Sequence, residues 1–439
     1  MRNGVYFDEF VGKAKEIAQD RAGTSAMGWV SAYANALHLQ ARLRATQAEV
    51  ERSREDAKML VILFWVGVFL VGYTYLFYPL MIWFIGALRP KKVLKGDIYP
   101  TITVVIPAYN EERSIGKTVL NKLECDYPPG KREVIVISDS STDDTDQIVA
   151  SLNHPDIHLV RQEPRQGKTA ALNKAVGLAK GEVIVFSDAN SLYGKGALQR
   201  LAANFADPHV GYVTGRMGYV NPDGSGIAES CGAYMEYENL LRALETRCGS
   251  IVGVDGGIDA IRRELYVEMD PDMLPDFVLP LSVVERGYRV VYEPNAIVAE
   301  DALSSTREEF RMRVRVILRA LHATWCMRRM FNPFRHGFFS LQLLSHKLLR
   351  YSVPFLLILL FVLNGLMVHR GGFWVVAFTG QCALYGVAAL GSALLRFRKK
   401  APSVLFFPFY FVLVNYACLV AWVKFIRKKK QALWTPRTG

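Results

Sequence analysis

Four stretches without a charged residue, at positions 59–88, 351–368, 371–395 and 401–423, constrain this chain more than any other feature. About 20 apolar residues in a helix cross the hydrocarbon core of a bilayer, whereas core helices of soluble domains rarely run so far uncharged. Each run is expected to be a transmembrane helix, one before the central region and about three after it. With 58 residues ahead of it, the first is not expected to be a cleaved signal peptide. The formal charge of +12 invites a nucleic-acid reading. Yet Arg89, Lys91, Lys92, Arg396, Arg398, Lys399 and Lys400 border the apolar runs, where basic residues flank membranes, so no nucleic-acid partner is expected. The six cysteines, at 125, 231, 248, 326, 382 and 418, form no CxxC pair and have no accompanying histidine pattern, which argues against a zinc site or a disulfide framework.

The remaining segments differ in character. Residues 1–58 are polar, and 34–58 lack Gly and Pro, which favours one long N-terminal helix. Leu39, Leu43 and Val50 do not sustain a heptad, so a solvated extension is expected rather than a coiled coil. Residues 59–88 follow as the first span. From 99 to 335, short β-branched runs alternate with helical stretches, the pattern of βαβ units around a mainly parallel sheet. The pattern predicts strands at 101–107, 133–138, 157–161 and 183–187, helices between them at 111–124, 143–152 and 167–180, and a later helix at 277–286. Residues 336–350 set Gln342, His346, Lys347 and Arg350 among apolar neighbours, as in an interfacial amphipathic segment or a pre-membrane linker. The C-terminal helices are expected within 351–426, followed by a basic tail at 427–439.

Open α/β sheets bind nucleotides at the carboxyl ends of their strands, and the polar clusters lie there. Pro107-Ala108-Tyr109-Asn110-Glu111-Glu112 follows the first strand. Such a loop can seat a base against Tyr109 and hydrogen-bond it through Glu111, or Asn110 and Glu111 can cap the helix. The stretch from Ser138 to Thr145 follows the second, with Asp139 able to accept from a base or ribose and the rest again suited to capping. In Arg165-Gln166-Gly167-Lys168, Gly167 permits a tight turn and Lys168 lies at a helix N-terminus, a combination suited to a diphosphate. Asp188-Ala189-Asn190 follows the fourth strand with oxygen-bearing side chains at i and i+2, a spacing that can hold a hard divalent cation against phosphate oxygens.

In this order the clusters resemble family-2 glycosyltransferases of the GT-A fold over about residues 100–326, and bacterial membrane polysaccharide synthases of the cellulose, chitin and hyaluronan synthase type among them. The matching segments are 107–111, 139–145, Gly167-Lys168-Thr169-Ala170-Ala171-Leu172-Asn173 and 188–190. The resemblance implies an α/β GT-A catalytic domain, Rossmann-like with a mainly parallel sheet, fused to α-helical transmembrane segments. It implies that Tyr109, Glu111, Asp139, Lys168 and Asp188 bind the nucleotide, and that Asp188 and Asn190 hold Mg2+ or Mn2+. The family's catalytic carboxylate precedes a Gly-Tyr-Arg run; here Leu274-Pro275-Asp276-Phe277 precedes Gly287-Tyr288-Arg289, which makes Asp276 the expected base. Capping the following helix is compatible with that role. Residues 252–263 resemble the Gly-rich segment lining the acceptor site, with Asp255 a candidate there. For the family's basic segment, one register uses Arg313 and Arg315, with Met312 and Val316 in place of Gln and Trp. Another uses Arg319, His322 and Trp325. Asn190 stands where the family has a second Asp, and an amide binds a divalent cation more weakly than a carboxylate.

The resemblance further implies inverting transfer from a nucleotide sugar, with a uridine donor, to a growing polysaccharide, coupled or not to export. Transfer of one sugar to a polyprenyl-phosphate or lipid-linked acceptor is the alternative, and a degenerate transferase-like scaffold a third reading. The partners implied are the donor, a glycan or lipid-linked acceptor, membrane lipids, and a second copy or an accessory export subunit. Nucleotide sugars are cytosolic, so the catalytic domain is expected on the cytoplasmic face of a bacterial inner membrane. One span before it and three after then leave Lys424, Arg427, Lys428, Lys429 and Lys430 outside, against the positive-inside rule. Either one run does not fully cross, or residues 338–368 hold more than one membrane element.

Overall fold

The computed structural model describes residues 26–220, 226–301, 305–396 and 403–429, together with residues 12, 13 and 16. The chain divides into two units, Met1–Val66 and Gly67–Gly439. Helix α1 (Ala26–Gly72) contains the whole expected polar helix, and residues 41–56 along it are all exposed. The rest of the N-terminal extension and most of the basic tail lie outside the described residues.

The second unit continues through α2 (Tyr78–Leu88) into an α/β domain. In chain order its elements are β1 (Ile102–Ala108), α3 (Ile115–Glu124), β2 (Arg132–Asp139), α4 (Thr145–Ser151), β3 (Ile157–Gln162), α5 (Lys168–Leu178), β4 (Val183–Ser187), β5 (Leu192–Tyr193), α6 (Ala197–Ala203), β6 (Val210–Val220), α7 (Gly226–Cys248), β7 (Ile258–Arg262), α8 (Pro275–Glu285), β8 (Arg289–Asp301) and α9 (Thr306–Cys326). Then come α10 (Phe338–Leu343), α11 (Arg350–Met367), α12 (Phe373–Arg396) and α13 (Ser403–Ile426).

Every residue of β1 is buried, as befits a parallel strand covered on both faces. Its alternate side chains serve two cores. Val104 and Ile106 pack with Val134, Val136 and, from α3, Ile115 and Val119, while Val105 packs with Ile135, Ile137 and, from α5, Ala171, Leu172 and Ala175. Helices α3 and α4, the latter through Val149, therefore cover one face of the sheet and α5 the other. Its strand order is β3-β2-β1-β4-β7-β6-β8-β5. β1 pairs in parallel with β2 and β4, β2 with β3, and β6 with β8. The β4–β7, β6–β7 and β5–β8 pairs are antiparallel. The mainly parallel sheet expected from the sequence is present, but β7 runs against its neighbours, since a short buried run carries no signal for direction. The carboxyl ends of β1, β2 and β4 meet on one edge and carry the polar loops.

Helix starts differ from expectation at several points; the helix expected at 143–152 begins at Thr145. The helix expected at 111–124 begins only at Ile115, because Asn110 adopts the left-handed conformation (φ 54°) and residues 111–114 turn first. Helix α8 starts at Pro275, where a proline fits because its missing N–H is unneeded in the first turn. Leu274 is the cap and Asp276 lies inside the first turn.

Among the described residues, four helices are long and apolar enough to cross a membrane: Asn35–Leu88, Phe338–Arg370, Phe373–Leu394 and Phe406–Ile426. Phe69, Leu366, Val376 and Phe407 are each more than half exposed on them, which suits lipid contact better than water. A buried polar network joins α7 to the segment leading into α11. The His346 ring faces Glu245 at 2.7 Å and Glu238 at 3.3 Å, Tyr78 Oη donates to Glu245 at 2.5 Å, and Arg350 pairs with Glu238. Burial opposes charge on Glu238, but Arg350 and His346 outweigh it and hold the carboxyl well below its usual range. Lys347 packs against Gly253, where an added methyl would lie 2.4 Å from its Nζ.

Candidate active site

The loops after β1 and β2 are laced together by their own polar residues. The Asn110 amide oxygen accepts from the Thr142 N–H (2.8 Å), and the Ser141 hydroxyl accepts from the Asn110 N–H (3.1 Å). Thr145 Oγ1 accepts from the Glu111 N–H (2.8 Å) and donates to Asp143 (2.6 Å). Most residues of the two motifs thus hold one another. Glu111 Oε2 accepts from Ser114 (2.9 Å), and the Tyr109 ring lies under the Arg165 guanidinium, 3.4 Å from its centroid. Asp139 is fully buried. Its carboxylate accepts from the Gln162 amide (2.7 Å) and from the N–H groups of Gln166 (2.8 Å) and Gly167 (2.9 Å), with Arg165 Nε at 3.7 Å. It therefore shapes the turn that starts α5, and Gly167 makes that turn at φ 96°.

Lys168, the first residue of α5, reaches across to Asp188 Oδ1 at 2.5 Å. Burial opposes its charge, but Asp188, then Asp276 and Glu300, outweigh that cost and hold its ammonium above the usual lysine range. The Asp188 side chain is 32% exposed, and Asn190 is half-buried two residues on. Among the described residues no group of three or more His, Cys, Asp or Glu side chains forms a metal cage. A carboxylate and an amide oxygen at an open edge fit Mg2+ or Mn2+ only in the manner of a phosphate-bridged ion, which takes one or two protein oxygens and completes its shell from phosphate and water. Behind this loop, Ser191 Oγ donates to buried Glu300 at 2.5 Å. Lys122 donates to the Ser191 carbonyl at 2.5 Å, and burial lowers its ammonium to about 7.

Asp276 is half-buried in the first turn of α8, where the helix dipole favours the carboxylate. It rests on Gly256, whose φ of +83° turns the backbone towards it; a Cβ there would lie 2.4 Å from Asp276 Oδ2. Asp255, beside that glycine, is held by Arg242 in a bidentate pair (2.6 and 2.5 Å) with both side chains buried. Arg319 is buried and donates to Thr169 Oγ1 (3.1 Å) and to the Met273 carbonyl, tying α9 to the start of α5 and to the loop before Asp276. Burial lowers its guanidinium pKa, and Asp276 counteracts this. Of the two arginine registers, Arg319 is the one brought to the Asp276 loop, with Arg315 half-buried near it. Arg313 instead bonds Glu309 (2.8 Å) and the Tyr410 hydroxyl (2.7 Å). His322 faces the Lys429 carbonyl (3.1 Å), and Trp325, 63% exposed, packs edge-on against Phe425.

Tyr109, Glu111, Asp139, Lys168, Asp188, Asn190 and Asp276 therefore lie on strand ends, loops and helix starts around one sheet edge, whereas Arg313 and Trp325 face α13. Sequence reasoning missed Glu300 and Arg242 as parts of this region, and took in Asp259 only as one residue of the glycine-rich segment 252–263. Glu300 and Asp259 had no spacing relation to the motifs, because β7 and β8 enter the sheet beside distant segments.

A mostly parallel sheet of this order, with Lys168 at a helix start and Asp188 and Asp276 at its edge, matches a GT-A glycosyltransferase fold. The solved mannosyltransferase from Pyrobaculum calidifontis, in complex with GDP-Man and Mn2+, superposes with a TM-score of 0.62 at 24% identity, covering 84% of this chain and 99% of that one. Residues 103–269 match the family model for glycosyl transferase family 2, so the chain carries a family-2 glycosyltransferase domain. Poly-beta-1,6-N-acetyl-D-glucosamine synthase of Staphylococcus aureus is 27% identical over 248 residues, 51% of this chain and 58% of that protein. Beta-monoglucosyldiacylglycerol synthase of Nostoc sp. is 28% identical over 206 residues, 46% of this chain and 44% of that protein. The match thus spans only about half the length of these curated relatives.

Proposed function

We propose that this protein is a membrane-bound inverting glycosyltransferase that uses a nucleotide sugar, a uridine diphosphate sugar in the first instance, to extend a polysaccharide at the cytoplasmic face of a bacterial inner membrane. The observation that carries the proposal is the meeting of Lys168, Asp188 and Asp276: the charges of both carboxylates act on one half-buried ammonium at the start of a helix. Lys168 and the N-terminal amides of α5 stabilise charge gathering on the departing diphosphate. Asp276 accepts the proton of the acceptor hydroxyl as that oxygen attacks the anomeric carbon opposite the leaving group. Arg319 orients the loop that carries Asp276. Asp188 and Asn190 would hold Mg2+ or Mn2+, whose contribution when bound is further charge neutralisation on the diphosphate. The carboxylate of Asp139 is spent on shaping the turn before Lys168, so its part in nucleotide binding is through that turn.

The position of Trp325 favours a second reading. It lies against Phe425 and Arg328, so Trp325 is not placed as the acceptor-stacking Trp implied by similarity to processive synthases. That supports transfer of one sugar to a lipid-linked acceptor. Release of nucleoside diphosphate by the purified full chain, assayed against a panel of nucleotide sugars with Mg2+ or Mn2+, tests the transferase; product sizing separates the two readings. Turnover lost in both Asp276→Asn and Asp188→Ala supports the assignment, and turnover kept in Asp276→Asn refutes it.

A further inference from the structure

Asp259 is a buried acid for which the transfer chemistry above has no use. It lies in β7, fully buried, and its Oδ2 accepts from the backbone N–H of Gly256 at 3.0 Å. The same glycine abuts Asp276, since a Cβ on it would lie 2.4 and 2.8 Å from the two carboxylate oxygens. One glycine therefore separates two carboxyl groups. The other oxygen of Asp259 faces the buried hydroxyls of Thr214 and Tyr212, whose donation eases the cost of its charge without cancelling it, although none of the three atoms reaches full hydrogen-bond geometry. The titratable groups around Asp259 are Asp276 from α8, Asp255 from the loop before β7, Tyr212 from β6 and Tyr193 from β5. None of these is a cation, and Asp255 is already neutralised by Arg242. A carboxylate so placed loses its hydration with little to replace it.

We infer that Asp259 is a positioning residue that carries its own proton at working pH, holding Gly256 against Asp276 while leaving Asp276 as the single negative charge of the pair. The inference rests on the reading of Asp276 as general base. Burial first, then the charge of Asp276, push the Asp259 carboxyl up to about 7. In the transfer itself the acceptor proton goes to Asp276, and Asp259 neither gives nor takes one. When the pH rises and Asp259 ionises, a second negative charge adjoins a site that must receive an anionic diphosphate, and donor binding weakens.

The test uses the full chain in detergent and two variants. Asp259→Asn keeps an oxygen for the Gly256 N–H and is permanently neutral; Asp259→Ala removes the acceptor as well. In the wild type the donor KM rises above about pH 7, by up to about tenfold per pH unit, the limit for release of one proton. In Asp259→Asn the KM stays flat, with kcat near pH 6 within about threefold of wild type, whereas Asp259→Ala loses kcat at every pH. Superimposed wild-type and Asp259→Asn profiles, or an equal loss in Asp259→Asn at all pH values, overturn the inference. Infrared difference spectroscopy supplies an arm independent of turnover: a protonated-carboxyl C=O band near pH 6, missing from Asp259→Asn and titrating away by about pH 8. Absence of that band overturns the inference even in a preparation that turns over no donor, which separates its failure from failure of the transferase reading.

Discussion

Replacing Gly256 with alanine gives the sharpest test of how Asp276 is held. A methyl at this position would sit 2.4 Å from Asp276 Oδ2 and 2.5 Å from its Cγ, about 1 Å short of ordinary van der Waals contact. Asp276 is fixed to the first turn of α8, so relief comes from swinging the carboxylate away or moving the loop. The φ of +83° adds strain for any residue with a Cβ, about 1–2 kcal/mol. A displacement of about 1 Å at a reacting group costs roughly 100-fold in rate. Gly256→Ala is therefore expected to lower kcat about 100-fold, with the donor KM little changed because Lys168 and Asp188 stay in place. The fold should survive, with unfolding free energy reduced by about 1–3 kcal/mol. Initial rates of nucleoside diphosphate release, beside thermal unfolding monitored by circular dichroism, measure both quantities. A variant that keeps kcat within about threefold of wild type would refute the placement of the base against this glycine.

Asp276→Asn should reduce kcat by about 10²–10⁴-fold while donor affinity, measured by calorimetry, is retained; unchanged turnover would remove Asp276 from the chemistry. Arg242→Ala leaves the Asp255 carboxylate buried and unpaired, so a loss of roughly 3–5 kcal/mol is expected in chemical denaturation, and a loss under about 1 kcal/mol would contradict the buried pair. Asp259 makes stability depend on pH. Its folded pKa, about 7 against an ordinary 3.8, means that the native state binds the extra proton between those values. Stability therefore falls as pH rises through that window, by an order-of-magnitude limit of a few kcal/mol. Asp259→Asn should flatten that slope in unfolding measured at several pH values, and an unchanged slope would assign it elsewhere. Trp325→Ala should leave product length unaltered on a sizing gel, since the ring packs against Phe425; shortened products would place it on the acceptor path.

Features encoded by neighbouring residues are legible in the sequence. Residues 102–108 form a buried run ending at a proline and a polar loop, so β1 and its neighbours can be drawn within a residue or two. Lys168 and Asp188 are recognisable because each follows its own strand closely. The direction of β7 is not legible, nor is the packing of Gly256 on Asp276, because both depend on segments far apart in sequence that a mixed sheet brings side by side. The same holds for Arg319 against Arg313: both are basic residues on one helix, and only the packing of α9 decides that the first meets the Met273 loop while the second meets Tyr410. Asp139 shows a different limit. Its position in a nucleotide-type loop is readable, but not that backbone amides occupy its carboxylate.

The buried pairs joining α7 to the start of α11 make the catalytic domain and the helix bundle mechanically continuous. Glu245 bonds Tyr78, His346 and the Val252 amide at once, and Lys347 lies directly against Gly253, three residues from the glycine that seats Asp276. Tilting α11 to suit a thinner or thicker bilayer would be felt first as a shift of this glycine-rich loop. Were α11 to tilt with bilayer thickness, acyl-chain length would become a variable of the geometry around Asp276.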